Sequence, residues 1–236
     1  MHVAREKGGF WVGFAAAVFY PSTAVMARRR TEGGERLPRK GGALVVMNHV
    51  SHLDPVYDAV FTHEQGRVPH FLAKHGLWNV PVLGSVLKGA RQIPVYRGTS
   101  DAQQSLRAAH DALEQGLVVI IYPEGTITRD PDGWPMGSRT GVARLALEHD
   151  VPVLPVARWG TRDVYDHYRR KFRPLPRKTV VTKVGEPVDL SAHRARPQNL
   201  ALLREVTDLL MGEVKDLLAE IREEPAPDGF YSAKKS

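Results

Sequence analysis

His49 and Asp54 stand five residues apart in the run Asn48-His49-Val50-Ser51-His52-Leu53-Asp54. An imidazole can take a proton from a hydroxyl near neutral pH. A carboxylate on its other ring nitrogen fixes the tautomer and stabilises the imidazolium that forms. Five residues turn through about 500° of ideal helix, so the two would not share a face of a regular one. They can meet if His49 lies in a loop at a strand end and Asp54 in the first turn of the following helix. The apolar run at 43–47 supplies that strand. Asn48, Ser51 and His52 are expected to shape the turn. A metal reading competes, because His49 and His52 are spaced HxxH and His63, His70 and His75 follow. Zinc wants three or four well-spaced ligands, and neither HExxH nor a cluster of acidic partners is present, so no metal is expected. Ser51 lacks the Gly-x-Ser-x-Gly elbow of a serine nucleophile.

Three further blocks lie on or beside apolar strands. Tyr122-Pro123-Glu124-Gly125-Thr126 ends the most apolar run of the body, 117–121. Ligands of open α/β sheets collect beyond the carboxyl ends of strands, and both His49 and Glu124 occupy such positions. Gly125 lets backbone approach a ligand, Thr126 can donate a hydrogen bond, and Glu124 either holds a ligand hydroxyl or braces the loop. Residues 89–98 bring Arg97, whose planar fork suits a phosphate. Val151-Pro152-Val153-Leu154-Pro155-Val156 reads as a buried edge strand, since proline is allowed at edges and strand starts. Arg139-Thr140-Gly141 precedes a helix.

Taken in chain order, over roughly residues 43–160, the blocks resemble the glycerolipid acyltransferases, the family of 1-acylglycerol-3-phosphate O-acyltransferases. The resemblance implies His49 as general base and Asp54 as its orienter. It implies that Glu124, Gly125, Thr126, Arg97 and Lys74 surround a phosphorylated acceptor. Family members commonly carry an arginine directly after Pro-Glu-Gly-Thr. Ile127 stands here, leaving Arg129 or Arg139 to replace it. The implied reaction moves a fatty acyl group from a thioester, acyl-CoA or acyl carrier protein, to the hydroxyl of a lysophospholipid, with no cofactor. The implied product from 1-acylglycerol-3-phosphate is phosphatidic acid. Another lysophospholipid, glycerol-3-phosphate or a glycolipid are alternative acceptors, and a non-enzymatic lipid-binding protein is the rival from another class.

These groups need a scaffold, and the patterning supplies one. β-branched runs at 43–47, 69–73, 92–96, 117–122, 153–157 and 179–184 alternate with helical patterns at 54–64, 99–114, 141–149 and 198–223. Such alternation predicts an α/β fold, a mostly parallel sheet covered by helices. In the last helix Leu200, Leu203, Val206, Leu210, Val214, Leu217 and Ile221 form a stripe for packing on the body. The expected organisation is an N-terminal membrane-associating segment and linker at 1–40, an acyltransferase domain at 41–224 and a flexible tail at 225–236.

The chain has 236 residues, 42% hydrophobic and 25% charged, which suits one folded domain. It has no cysteine, which removes disulfides and thiol nucleophiles. Of the net charge of +7, residues 1–40 carry +5 and residues 158–178 carry +6, leaving the rest at −4. Two basic zones suggest an anionic partner. A membrane surface fits, and no nucleic-acid motif is present. Residues 10–27 are apolar and aromatic, interrupted by Pro21 and closed by Arg28-Arg29-Arg30. Eighteen residues barely span a ~30 Å hydrocarbon core. A spanning helix and a cleaved signal peptide remain open. The aromatic content favours one helix, or two hinged near Pro21, lying in the interface. The expected place is the cytoplasmic face of a membrane; oligomeric state is not fixed.

Overall fold

The structure, a computed structural model, describes residues 6–95 and 101–232, excepting the side chains of 101–104. Its elements in chain order are α1 (Gly9–Met26), β1 (Ala27–Glu32), β2 (Ala43–Met47), α2 (Asp54–Glu64), β3 (Pro69–Lys74), α3 (Leu83–Gly89), β4 (Ile93–Val95), α4 (Asp101–Glu114), β5 (Val118–Ile121), α5 (Gly141–Glu148), β6 (Val153–Trp159), α6 (Thr161–Val164), β7 (Tyr165–Asp166), β8 (Lys171–Phe172), β9 (Lys178–Val184), α7 (Ser191–Arg194) and α8 (Leu200–Arg222). Seven strands form one sheet in the order β1-β9-β6-β2-β5-β3-β4; β7 and β8 form a separate hairpin.

Every pairing in the large sheet is parallel except β6 with β9. The central strands are apolar on both faces because both are covered, as expected of parallel strands between helices. Leu44 and Val46 pack with Val119, Val153 and the Val206, Leu210 and Val214 stripe of α8. Val45 and Met47, pointing the other way, pack with Ile120, Leu154 and Phe61 of α2. Asn199 starts α8 by accepting the Leu202 N–H on its side chain (2.9 Å). Leu200, expected in the buried stripe, is exposed beyond that cap.

The α/β reading holds, with four departures. Residues 27–32, expected within the N-terminal membrane-associating segment and linker, supply the edge strand β1, which runs parallel to β9 with Ala27 opposite Lys178. The three arginines therefore belong to a strand. Arg29 turns inward to Glu64 (3.0 Å) and the Thr23 hydroxyl (2.8 Å), while Arg28 and Arg30 are exposed, following the twofold alternation of a strand. Pro21 does not hinge α1, which is one helix. The Ser22 and Thr23 hydroxyls donate back one turn to the Val18 and Phe19 carbonyls (2.6 and 2.8 Å), so neither is left without a partner along the helix.

β6 is an interior strand, not an edge. The carbonyl of Pro155 faces β9 and accepts the Gly185 N–H (2.9 Å). Its missing donor is thus absent from the side where that ladder ends, and the pairing with β2 loses nothing. The tail is not loose through residue 232. Gly137 N–H donates to the Tyr231 carbonyl (3.0 Å), and the Lys215 ammonium donates to the Pro227 and Gly229 carbonyls (2.8 and 3.1 Å).

Candidate active site

The carboxyl ends of β2, β5, β3, β4 and β6 lie along one edge of the sheet, because these strands run parallel. His49 follows β2, and Asp54 opens α2. His49 Nδ1 and Asp54 Oδ2 are 2.8 Å apart. The same Oδ2 accepts the backbone N–H groups of Val50 and Ser51 (2.7 and 2.8 Å), and the Thr161 hydroxyl donates to Oδ1. Burial pushes the Asp54 carboxyl up. The hydrogen bond and charge of His49, with the Thr161 and Ser51 donors, outweigh it and hold Asp54 below the usual carboxylate range. Asp54 is thus a buried, ionised partner. His49 is left with Nε2 as the ring nitrogen able to accept a proton.

The companions build the turn. Asn48 imitates a backbone residue: its amide donates to the Arg158 carbonyl (2.9 Å) and its oxygen accepts the Arg158 N–H (2.8 Å), tying the end of β2 to β6. The Ser51 hydroxyl donates to the Tyr165 carbonyl (2.7 Å). His52 is exposed and meets His167 edge-on, ring centroids 4.2 Å apart.

Glu124 braces two loops. One oxygen accepts the His49 N–H (2.9 Å), the other the Met136 N–H (3.0 Å), and the side chain is buried. Burial pushes its carboxyl up to about 7, against the pull of the Met136 and His49 amides. Its two amide contacts join the loops after β2 and β5, the bracing role the sequence offered beside substrate binding. Gly125 has φ +71°, and a Cβ there would come within 3.2 Å of Arg139 Nε. Arg139 is thus brought to the Gly125-Thr126 turn, and its N–H donates to the Pro123 carbonyl (2.9 Å). Its guanidinium is exposed, without a carboxylate partner among the described residues. Thr126 is exposed beside it. Arg129 is exposed beyond the Thr128 N–H bond to the His49 carbonyl (2.8 Å) and joins neither His49 nor Arg139. Lys74 is exposed at the end of β3, two strands from β2, or ~10 Å at the usual strand spacing. Arg97 lies outside the described residues.

A second buried ion pair escaped the sequence reading. Asp58, one turn after Asp54, pairs with Arg158, whose Nε donates to Asp58 Oδ1 (2.5 Å). The Tyr122 hydroxyl donates to the other Asp58 oxygen. The Tyr122 ring stacks on His49, centroids 4.4 Å apart and planes 18° from parallel. Burial, then the charges of Asp58 and Asp54, push the Tyr122 phenol well above its ordinary range, so it stays a donor. The i, i+4 spacing of Asp54 and Asp58 was a signal for one helix face; Thr161 left none. Arg158, counted in the basic zone at 158–178, is buried and neutralised, so it belongs to the site and not to an anion-facing surface.

Comparison with known proteins agrees with this geometry. The acyltransferase family profile matches residues 28–159. A chloroplastic 1-acyl-sn-glycerol-3-phosphate acyltransferase of Brassica napus is 30% identical over 132 residues, covering 55% of this chain and 37% of that protein. The human 1-acyl-sn-glycerol-3-phosphate acyltransferase alpha is 28% identical, covering 76% and 65%. An N-acylphosphatidylethanolamine synthase of Arabidopsis thaliana is 28% identical, covering 62% and 55%. The crystal structure of the 1-acyl-sn-glycerophosphate acyltransferase PlsC of Thermotoga maritima superposes with a TM-score of 0.66 at 26% identity, covering 88% of this chain and 80% of that one. A strand-end histidine oriented by a buried carboxylate on a mostly parallel sheet, with the profile spanning that site, places the chain in the acyltransferase family. It spans between 37% and 65% of the lengths of the three curated relatives named here.

Proposed function

We propose that this protein transfers a fatty acyl group from a thioester to the hydroxyl of a lysophospholipid, 1-acylglycerol-3-phosphate before others, to give phosphatidic acid. The observation that carries the reading is the Asp54–His49 pair, with every Asp54 oxygen held by a donor. His49 Nε2 takes the acceptor proton as the oxygen attacks the thioester carbonyl. Asp54 stabilises the imidazolium, which returns its proton as the tetrahedral intermediate expels the thiol. The oxyanion needs donors. The backbone N–H groups of His49, Val50, Ser51 and Gly125 are already spent on Glu124, Asp54 and Tyr122. Thr126, exposed on the adjoining turn, has a hydroxyl that can donate to it.

The acceptor phosphate is assigned to Arg139, Arg97 and Lys74. Arg139→Ala or Arg97→Ala should raise the acceptor KM at least tenfold and leave the donor KM nearly unchanged, as loss of a charge-assisted contact requires. The apolar face of α1 suits a membrane interface. Phe10, Phe14, Val18 and Val25 are exposed within about 80° of the helix circumference, while the opposite side packs on α2 and α3. The reading places the body at the cytoplasmic face, where thioester donors are found. The deciding experiment offers the purified chain a panel of lysophospholipids, glycerol-3-phosphate and phosphatidylethanolamine, with acyl-CoA and acyl carrier protein thioesters, and identifies products by mass. Phosphatidic acid as the main product supports the reading. Lipid binding without any acylated product would sink it.

A further inference from the structure

The hairpin of β7 and β8 lies outside the span matched by the family profile, and nothing in the chemistry above uses its tip. It is held at both ends to the site. Its first carbonyl, of Tyr165, accepts the Ser51 hydroxyl (2.7 Å), and the Tyr168 hydroxyl donates to the Ile127 carbonyl (2.9 Å). The segment leaving it reaches α1, where Arg177 donates to the Ala24 carbonyl (2.6 Å). Its sequence, Tyr168-Arg169-Arg170-Lys171-Phe172-Arg173-Pro174-Leu175, interleaves cations with large apolar groups. Phe172 is 58% exposed and Leu175 72% exposed. Asp166, the single carboxylate at 165–178, is buried and faces Arg162 and Arg169. Arg170, Lys171 and Arg173 have no acidic partner among the described residues.

Exposed apolar groups gathered on one short hairpin among cations, rather than scattered singly, mark an interaction surface. Cations beside exposed rings fit a surface that offers negative charge at one depth and hydrocarbon just below it. We infer that this hairpin docks on an anionic lipid bilayer, as a second contact beside α1 that holds the mouth of the site against the lipid plane. The acyltransferase reading is used in one respect, the choice of a bilayer over another polyanion.

Vesicle sedimentation of the full chain tests it, using phosphatidylcholine vesicles with and without phosphatidylglycerol and no substrate. Failure here and failure of acyl transfer are thereby read separately. All four substituted side chains are exposed, so the variants should melt as the parent does. Arg170→Ser with Lys171→Ser should weaken binding to anionic vesicles about 30-fold, at roughly fivefold per basic residue, and leave neutral vesicles nearly unchanged. Phe172→Ser with Leu175→Ser should weaken binding to both, by about tenfold or more. Turnover of a short-chain, water-soluble acceptor should stay at the parent level in both. Sedimentation within about twofold of the parent in both variants would overturn the proposal. So would a charge variant that keeps vesicle binding and loses turnover only with acyl carrier protein thioesters, which would move this surface to an acidic carrier protein.

Discussion

Asp54 and Asp58 occupy the same face of α2, one turn apart, and both are fully buried. Asp54 is held below the usual carboxylate range, whereas Asp58 is pushed up to about 6, by burial first, with Arg158 opposing and the Asp54 charge assisting. The difference lies in donors. Four reach Asp54: two amides, a hydroxyl and His49. Asp58 has an arginine and a tyrosine. The partners also differ in kind, since imidazole exchanges a proton at neutral pH and guanidinium does not. The same side chain therefore supports a base at one position and an anchor at the next. Tyr122 connects them, bonded to Asp58 through its hydroxyl and stacked on His49 through its ring.

The comparison can be broken most sharply at the base. His49→Ala should cut turnover by ~10²-fold or more with the fold intact, read as kcat beside an unchanged circular dichroism spectrum. Asp54→Asn should fall in the same range, because it removes the charge under the imidazolium. Asp58→Ala should act on the fold instead, leaving Arg158 buried and unpaired at a cost of roughly 3–5 kcal/mol. Denaturant titration measures that loss. If Asp58→Ala melted like the parent and lost as much kcat as Asp54→Asn, the two carboxylates would not be anchor and orienter.

Glu124 sharpens the contrast as a third buried carboxylate, and its effect should be the smallest. Its carboxyl sits at about 7, above the ordinary 4.5. The fold thus keeps a proton that the unfolded chain has already lost between those values. Its contribution to stability is fully present below pH 4.5 and declines as pH rises through 7. The difference in melting temperature between parent and Glu124→Gln should therefore shift against the parent as pH rises from 5 to 8. A difference that stays flat across that window would mean Glu124 is ionised throughout.

The sheet and the reactive pair were legible because each has a local signature. Runs such as 43–47 and 117–121 are apolar at every position, as strands buried on both faces must be. His49 and Asp54 meet within one turn of chain. β1 carries no such mark: Arg28-Arg29-Arg30 on an edge strand needs only one partner and no buried face. Thr161 and Arg158 were invisible for another reason. They act across a hundred residues of sequence or more, and the adjacency of β6 and β2 brings them to α2. The arginines after residue 157 read as one basic zone because composition does not record which of them turn inward.

Helix α1 ends at Met26 and β1 begins at Ala27, with no residue between them. A tether would let the body swivel over whatever the helix rests on. This joint has no slack. Tilting the helix tilts the sheet edge with it, so the standoff of His49 from that support is built into the architecture, as the focal distance of a lens is set by its mount.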